Sequence, residues 1–507
     1  MGEVTPGSLR EDLRNRRMGH SNHAWRRSAA CALALCFWAP AREAAASGLG
    51  IPDLGAEGLA QGGAQVAAPG NLTALWYNPA GLMGIEESSV QMDPRVVWHR
   101  VGFQRLGSDG RNPQGFAAVH NTGAPTLSSM APIGGLAARW SGGPLPMVFA
   151  IGGFPLNGAT GYNYPDPDAL RRAGASTNQT NQTNQEIAQQ APQRYASISS
   201  ASKVYIAALA VAARVLPWLD AGAEFQLANA SFSSRQSVAS GLVAGEDPEL
   251  DAQLSLDGSD FGRPSGAFGL SAQLPGGLHL GLSYQLPYRF HANGTLTADI
   301  PPTLVAAGAS IDGQAARFHV TLPWYWRFGV RLRRPLFEVE LAGTLDGWSS
   351  YSQIRVVPLG ISFKLGGTTQ VLPEIVLRKD LQDAISLRLG GAFHAGELWP
   401  AVRGLTLLAG ALYETSAVPE ERQSLDLMHW ARGSLNAGAS FAAGRWTFAA
   451  GYSHFVQPDR QVRSSTVQQV LALPGNIPTV VGNGDYSSQL DQVSISAAVR
   501  FGGDRTP

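Results

Sequence analysis

Charge of either sign is scarce in this chain. Lys and Arg together number 38 among 507 residues, as do Asp and Glu, so 15% of the sequence is charged and the formal net charge is zero. An ordinary soluble domain has about 25% charged residues. Only three of the cations are lysines: Lys203, Lys364 and Lys379. A chain without a basic excess is not expected to be a dedicated nucleic-acid-binding protein.

Cysteine and long apolar runs are also nearly absent. Two cysteines, Cys31 and Cys36, are too few for a disulfide-rich scaffold or a Cys-based zinc module. No stretch has the 18 or more apolar residues that a transmembrane helix needs. The sequence has no P-loop, Rossmann fingerprint, HExxH motif or G-x-S-x-G elbow, and its ten histidines form no close cluster. We therefore expect no metal, no cofactor and no catalytic residue.

Glycine, in contrast, is abundant. It accounts for 59 residues, and apolar residues make up 44% of the chain. The glycine share is about 12%, where roughly 7% is usual. Low charge with many glycines and moderate hydropathy favours a large all-β protein whose two faces meet different solvents.

Residues 1–46 are predicted to be a secretory signal peptide. A basic flank at Arg26 and Arg27 precedes a short apolar core, Ser28–Pro40, and small residues at 44–46 provide a cleavage site. The apolar core is too short to cross a bilayer as a helix. Met18 is an alternative start of the precursor. The mature chain would then begin at Ser47 and contain no cysteine.

Strand-like alternation begins after residue 87 and is clearest at residues 324–333. Successive side chains of a strand point to opposite faces. One face here is wholly apolar: Trp324, Trp326, Phe328, Val330 and Leu332. The other face consists of Tyr325, Arg327, Gly329, Arg331 and Arg333, of which the three arginines are cations. Such a strand suits a wall between lipid and a polar interior.

Fourteen segments show this pattern, and short and long connections alternate between them. The segments are 88–105, 126–141, 145–155, 200–215, 217–237, 252–274, 278–297, 315–333, 335–358, 376–394, 403–416, 433–443, 445–457 and 490–501. An even strand number with tight turns at one end and long loops at the other is typical of an outer-membrane β-barrel. We predict a 14-stranded antiparallel transmembrane barrel over residues 88–501, followed by a short tail, 502–507.

Residues 47–87 fit no strand pattern. They are rich in small residues and end in an Asn-Pro turn, Asn78-Pro79-Ala80-Gly81. A compact segment of this kind could fold into the lumen as a plug. A Gly/Ala-rich lead that ends in Asn78-Pro79-Ala80, after a signal peptide and before fourteen strands, resembles the N-terminal hatch of FadL-type outer-membrane channels. That family comprises long-chain fatty acid and aromatic-hydrocarbon transporters.

The resemblance implies a function as well as a fold. It implies passive transport of hydrophobic solutes, with long-chain fatty acids favoured over aromatic hydrocarbons, by a protein of the bacterial outer membrane. Ligand would be captured at the outer loops, the hatch would rearrange, and the solute would leave sideways into the membrane lipid. The alternative is a FadL-like barrel that acts as a secretion or assembly scaffold. A retained hatch argues against a general porin, and we favour a monomer.

Seven residues are candidates for roles in transport. Asn78, Pro79, Ala80 and Gly81 would control the hatch, or would form a turn that only docks it. Arg327, Arg331 and Arg388 are predicted to face the lumen, where a guanidinium can bind a carboxylate through two hydrogen bonds. The alternative is that these arginines form ion pairs with lumenal acids: Glu338, Glu340 or Glu224.

Overall fold

Fourteen strands pair edge to edge and close into one antiparallel barrel, as the alternation predicts. The computed structural model describes residues 53–501, except for 68, 108–114, 123–125, 157–160, 171–185, 187–189, 241–245 and 472–478, and for the side chains of 126–133. The predicted signal peptide and tail lie outside the described residues, as do residues 47–52. The 14-stranded fold is confirmed.

The barrel strands are labelled β1 to β14 in chain order. They are β1 Ser88–Arg105, β2 Thr126–Trp140, β3 Met147–Pro155, β4 Ser199–Leu216, β5 Leu219–Val238, β6 Ala252–Leu274, β7 Leu278–Gln285, β8 Tyr325–Arg333, β9 Phe337–Asp346, β10 Ala384–His394, β11 Leu405–Glu414, β12 Arg432–Ala443, β13 Trp446–Val456 and β14 Gly484–Phe501. Each strand pairs with the next, and β1 pairs with β14 from Ser88 opposite Phe501 to Arg105 opposite Gly484. The last pairing closes the wall, so that no barrel strand has a free edge.

The two faces of the wall differ as predicted. On β8 to β10, outward apolar side chains such as Phe328, Leu341 and Leu387 are more than half exposed. Arg327 and Arg331, which alternate with them, are 4% exposed. An exposed apolar belt around a closed barrel is typical of the lipid-facing surface of outer-membrane barrels.

Four of the predicted segments each contain two strands instead of one. Segments 278–297, 315–333, 335–358 and 376–394 break at the loop-side end of the barrel, two of them beside Pro287 and Pro323. Proline has no N–H to donate to the ladder, so strands tend to stop there. Beyond the breaks the chain forms four outer strands: Tyr288–Asp299, Ala315–Leu322, Gln353–Pro358 and Ile375–Arg378.

The outer strands extend the wall on the side of the long loops. Tyr288–Asp299 pairs with the first half of β6, and the other three follow it in order. The remaining short strands of the loop side are Val119–His120, Gly161–Asn163, Ser310–Asp312, Ser362–Leu365, Thr368–Val371 and Arg460–Val462. Short helices in the connections are Pro302–Ala306, Trp348–Ser350, Ala395–Leu398, Pro400–Val402 and Glu420–Arg422. Within the described residues, no helix has the length and apolarity needed to cross a membrane.

Residues 53–85, here called the inner segment, fill the middle of the barrel. The segment contains two short α-helices, Ala56–Ala60 and Ala74–Tyr77, and a 3₁₀ helix, Pro79–Gly84. Most of its residues are buried, including Leu59, Ala74 and Leu82. The strands that it contacts include β4 to β6 and β11 to β14. Its small side chains let this irregular chain fit within a ring of strands.

Candidate functional site

A belt of inward glycines allows the inner segment to lie directly against the wall. A Cβ atom added at any of nine glycines would come within 3.0 Å of inner-segment atoms. These positions are Gly152, Gly222, Gly269, Gly281, Gly329, Gly390, Gly410, Gly438 and Gly451. A real Cβ atom almost never lies this close to another heavy atom, so any larger residue there would displace the segment or the wall. The belt spans nine of the fourteen strands.

Asn78 fastens the inner segment to this belt. Its side chain is fully buried, and Nδ2 donates hydrogen bonds to the carbonyl oxygens of Val66 (2.8 Å) and Leu270 (3.0 Å). Its Oδ1 accepts from the amide of Ala80 at 3.1 Å, which caps the 3₁₀ helix that begins at Pro79. Proline suits the first helical position because its missing N–H would have no partner there. Gly81, the last of the four candidate hatch residues, lies against the ring of Pro69.

Arg331 lies in a network of carboxylates and inner-segment atoms. Its Nε donates to Glu340 Oε2 at 2.6 Å, and its Nη1 donates to Glu338 Oε2 at 3.1 Å. The second oxygen of Glu340 accepts from the amides of Val66 (2.6 Å) and Ala67 (3.1 Å). The ion-pair alternative therefore describes Arg331, and the pair also holds the inner segment to β9. The third acid considered, Glu224, accepts from Gln226 at 2.8 Å.

Arg388 has a different partner from those expected. It forms a buried ion pair with Asp53 of the inner segment and also donates to the carbonyl oxygen of Gly62 at 3.1 Å. The main-chain oxygen of Asp53 accepts from Arg95 of β1 at 2.6 Å. One end of the inner segment is thus tied to strands on two sides of the barrel.

Arg327 is placed differently from the other two arginines. Its guanidinium lies over the rings of Trp76 (4.2 Å) and Tyr325 (4.9 Å), an arrangement in which a cation is attracted to an aromatic face. Its Nη2 has no hydrogen-bond partner among the described residues. The side chain lines a small cavity of about 30 Å³, together with the acids Asp346 and Glu414. Arg327 thus has a donor for another molecule, and Arg388 lines the same cavity.

A larger cavity of about 420 Å³ opens on the loop side. Much of its wall is apolar: Phe232, Leu256, Phe318, Val320, Leu322, Ile354 and Val356. Its rim is polar, and Lys379, Arg422, Ser424 and Asp426 line it. An apolar wall with a few convergent polar groups is the usual composition of a small-molecule site.

Lys379 and Asp426 form an ion pair at this rim. Lys379 Nζ lies 2.5 Å from Asp426 Oδ2, and Ser424 Oγ donates to the other carboxylate oxygen. Desolvation would raise the pKa of Asp426, but the Lys379 charge and these hydrogen bonds hold that pKa below its ordinary value of 3.8. Asp426 therefore stays ionised at neutral pH, and Lys379 keeps its other N–H donors.

The inner segment separates this cavity from a second one on the side of the short turns. The turn-side cavity also measures about 420 Å³, and Gly70, Met83 and Gly84 of the inner segment line it with polar side chains of the wall. Between the two cavities lies a continuous apolar cluster in which Leu75 and Trp76 belong with residues of the loop-side wall.

Several residues of this site were not predicted. Trp76, Asp53 and Lys379 are among them, and only Lys379 carried a signal, because it is one of three lysines in the chain. Trp76 packs edge-on to Phe154 (5.8 Å between ring centroids) and Tyr325 (5.6 Å). Those contacts depend on how the irregular segment is folded inside the barrel.

Comparisons with known proteins agree with this architecture. The model of the family described as outer membrane protein transport protein (OMPP1/FadL/TodX) matches residues 172–499, more than half of the chain. Comparison with curated proteins found no match.

Solved structures share the fold. A Pseudomonas aeruginosa FadL homologue has a TM-score of 0.66 at 14% identity, over 90% of this chain and 100% of that chain. The Pseudomonas putida toluene transporter TodX has a TM-score of 0.57 at 16% identity, over 90% and 100%. The Ralstonia pickettii toluene transporter TbuX has a TM-score of 0.56 at 15% identity, over 89% and 99%. With the family match, the closed barrel identifies the chain as a member of the outer membrane protein transport family (OMPP1/FadL/TodX), whose members are transport channels and not enzymes.

Proposed function

We propose that this protein carries hydrophobic solutes passively across the outer membrane, and that long-chain fatty acids are its substrates. The loop-side cavity is the main support, because an apolar wall meets a polar, cationic rim there. A fatty acid has a matching shape: an apolar tail and one anionic end. An aromatic hydrocarbon, the substrate class named for the TodX and TbuX relatives, would gain nothing from the rim.

Transport in this proposal begins at the loop side. The tail of the ligand enters the apolar part of the cavity, where burial of its surface is favourable by about 25 cal/mol per Å². The carboxylate stays near Lys379 and Arg422, which lie in ion pairs with Asp426 and Asp380, each at 2.5 Å. A carboxylate ligand can share these cations, since each retains further N–H donors.

The inner segment acts as the hatch in this proposal. It lies within the predicted hatch, residues 47–87, which would begin the mature chain after cleavage of the signal peptide 1–46. Trp76 closes the path below the loop-side cavity, and the turn from Asn78 to Gly81 anchors the segment to the belt. Movement of Trp76 would bring the ligand past Arg327, whose free donor suits a carboxylate. The solute then leaves sideways into the lipid, so that it never crosses water.

Arg331 and Arg388 hold the hatch in its closed position. Each is bound both to a carboxylate and to a carbonyl oxygen of the inner segment. We assign them to hatch docking and assign contact with the passing carboxylate to Arg327.

Uptake in a host that lacks its own fatty-acid channel tests the proposal. Labelled oleate and labelled toluene are supplied to cells that express the full chain, with empty vector as the baseline. The key variant is Lys379→Met, and the matched control is Lys364→Met, because Lys364 is also on the loop side and pairs with Asp312 at 2.5 Å. We expect saturable oleate uptake that Lys379→Met lowers several-fold and Lys364→Met leaves unchanged.

Other outcomes point elsewhere. Toluene uptake that neither lysine affects, without oleate uptake, would assign the protein to hydrocarbons. Uptake of neither solute by a barrel that is folded in the outer membrane would refute solute transport and favour the scaffold function.

A further inference from the structure

The outward face of the barrel changes chemistry abruptly at the strand breaks. Below the breaks, outward side chains of β7 and β8 are apolar, among them Leu280, Phe328 and Val330. Tyr284 and Trp326 pack together at the end of this apolar region, with ring centroids 4.5 Å apart. Tyr and Trp concentrate where membrane lipid meets water. The pair therefore marks the level of the lipid headgroups.

Cations occupy the outward face just beyond this level. The four outer strands place six basic side chains on one surface, here called the outer cationic face: Arg289, His291, Arg317, His319, Arg355 and Arg378. Strand pairing brings them into rows. His291 lies opposite His319, which lies opposite Arg355, and the two imidazole centroids are 4.9 Å apart.

Three of these arginines have no partner among the residues that the structure describes. Arg289, Arg317 and Arg378 are exposed and make no hydrogen bond or ion pair with the described residues. Arg355 is bound to Glu374, at 2.5 and 3.0 Å. Two other exposed acids are Asp257 of β6 and Asp299 of the outer strand Tyr288–Asp299. Both lie at the edge of the face where these two strands pair. Desolvation lowers the pKa of His319, and the neighbouring cations lower that pKa further.

We propose that the outer cationic face binds phosphate groups of the outer-leaflet lipids that surround the barrel. Arginine offers a planar fork that matches a phosphate with two hydrogen bonds, and it is less strongly hydrated than lysine. The surface lies at headgroup level, faces away from the lumen apart from Arg378, which also lines the loop-side cavity, and carries unneutralised positive charge. A phosphate-bearing lipid fits all three properties. Such contacts hold the extended wall, and with it the loop-side cavity, at a fixed height above the apolar belt.

The test uses the mature full-length protein in detergent micelles. Doubly phosphorylated lipid A is the probe, its dephosphorylated form is the matched probe, and bound lipids are counted by native mass spectrometry across a titration. The face variant replaces three exposed arginines: Arg289→Gln, Arg317→Gln and Arg378→Gln. The control variant has the same charge change at the short turns: Arg334→Gln, Arg403→Gln and Arg445→Gln.

We expect the phosphorylated lipid to bind wild type and the control alike. Binding to the face variant should be roughly a hundredfold weaker, since each arginine near an anionic surface contributes about fivefold. Added salt should weaken binding to wild type, because the contact is ionic.

Three results would overturn the proposal. They are equal affinity of the face variant and the control, equal binding of the dephosphorylated lipid, and displacement of the lipid by an equal concentration of inorganic phosphate. The last two use the unaltered protein, so they decide the matter even if the face variant does not fold. Slower gel migration after boiling checks that each variant is a folded barrel.

Discussion

Asn78 of the inner segment donates a hydrogen bond to the main-chain oxygen of Leu270 in β6, at 3.0 Å. The same nitrogen binds Val66 within the segment. Asn78→Ala removes both bonds and leaves buried acceptors unpaired, which costs about 1–3 kcal/mol for each group. We expect amide hydrogen exchange in residues 53–85 to become at least tenfold faster, while the barrel strands keep their protection.

Asn71→Ala is the control for this prediction. Among the described residues, the Asn71 side chain is bonded only within the inner segment, to Glu57 and Thr73. It should loosen those local contacts without releasing the segment from β6. Hydrogen exchange in Asn78→Ala that matches wild type would show that this bond does not hold the segment.

Gly222 permits the closest approach of the candidate hatch turn to β5. A Cβ atom there would meet the main-chain atoms of Pro79 and Ala80 within 3.0 Å, and main chain cannot move aside as a side chain can. Overpacking of this kind costs about 1–3 kcal/mol. We expect Gly222→Ala to form a heat-modifiable barrel whose inner segment is cleaved faster by protease. Gly343→Ala, where the nearest atom is 3.7 Å away, should behave as wild type; equal cleavage of the two variants would argue against the belt.

The buried ion pair of Asp53 with Arg388 gives a prediction about stability. Arg388→Met leaves the Asp53 carboxylate buried without its cation, and such losses cost about 3–5 kcal/mol. We expect a clear fall in the urea midpoint of unfolding, followed by gel mobility. The second substitution Asp53→Leu should restore much of the loss, because it removes the isolated charge.

An exposed pair provides the contrast. Arg355 and Glu374 have side chains 47% and 36% exposed, and solvent-exposed pairs of this kind contribute little to stability. Arg355→Gln should therefore shift the urea midpoint little. A shift as large as that of Arg388→Met would mean that burial does not set the difference.

The rim of the loop-side cavity should respond to acid. The pKa of Asp426 is held below 3.8 in the folded protein, so its ionised form favours folding at pH values above 3.8. That contribution is lost as the pH falls through the lowered pKa and the pair with Lys379 breaks. We expect the loop 415–431 to be protected from pepsin until the pH falls below about 4.

Asp426→Asn should remove this loss of pepsin protection on acidification, here called the acid step. It should also leave the loop less protected at every pH. Asp312→Asn, which breaks the exposed pair with Lys364, should retain it. An acid step of equal size in Asp426→Asn would place its origin in another carboxyl group.

Much of the barrel could be predicted because its information is local. A period of two assigns each side chain to lipid or lumen, so the inward positions of Arg327, Arg331 and Arg388 follow from sequence alone. The pair of Arg331 with Glu340 also follows, since the two residues lie on neighbouring strands. Pro287 and Pro323 are visible in the sequence and explain two of the strand breaks. The apolar-polar alternation continues through both prolines, so the pattern alone does not reveal the breaks.

The interior of the barrel could not be predicted in this way. Asp53 meets Arg388, and Glu340 meets the amide of Val66, across hundreds of residues and through a segment without regular structure. No periodicity relates such positions. The path of the inner segment determines which of the three lumenal arginines bind it and which has a guanidinium nitrogen without a partner.

The closure of the wall has a consequence for the order of assembly. Ser88 and Phe501 form the first and last rungs of the same strand pair, and the helix at Ala56–Ala60 contacts β14 as well as β12 and β13. The inner segment, which precedes every barrel strand in the chain, is therefore enclosed in part by the last strands. Contacts between such distant residues form slowly. The entropy of closing a long loop is lost before the contacts contribute any favourable free energy. We expect the inner segment to lie inside an open, curved sheet before the final strand seals it.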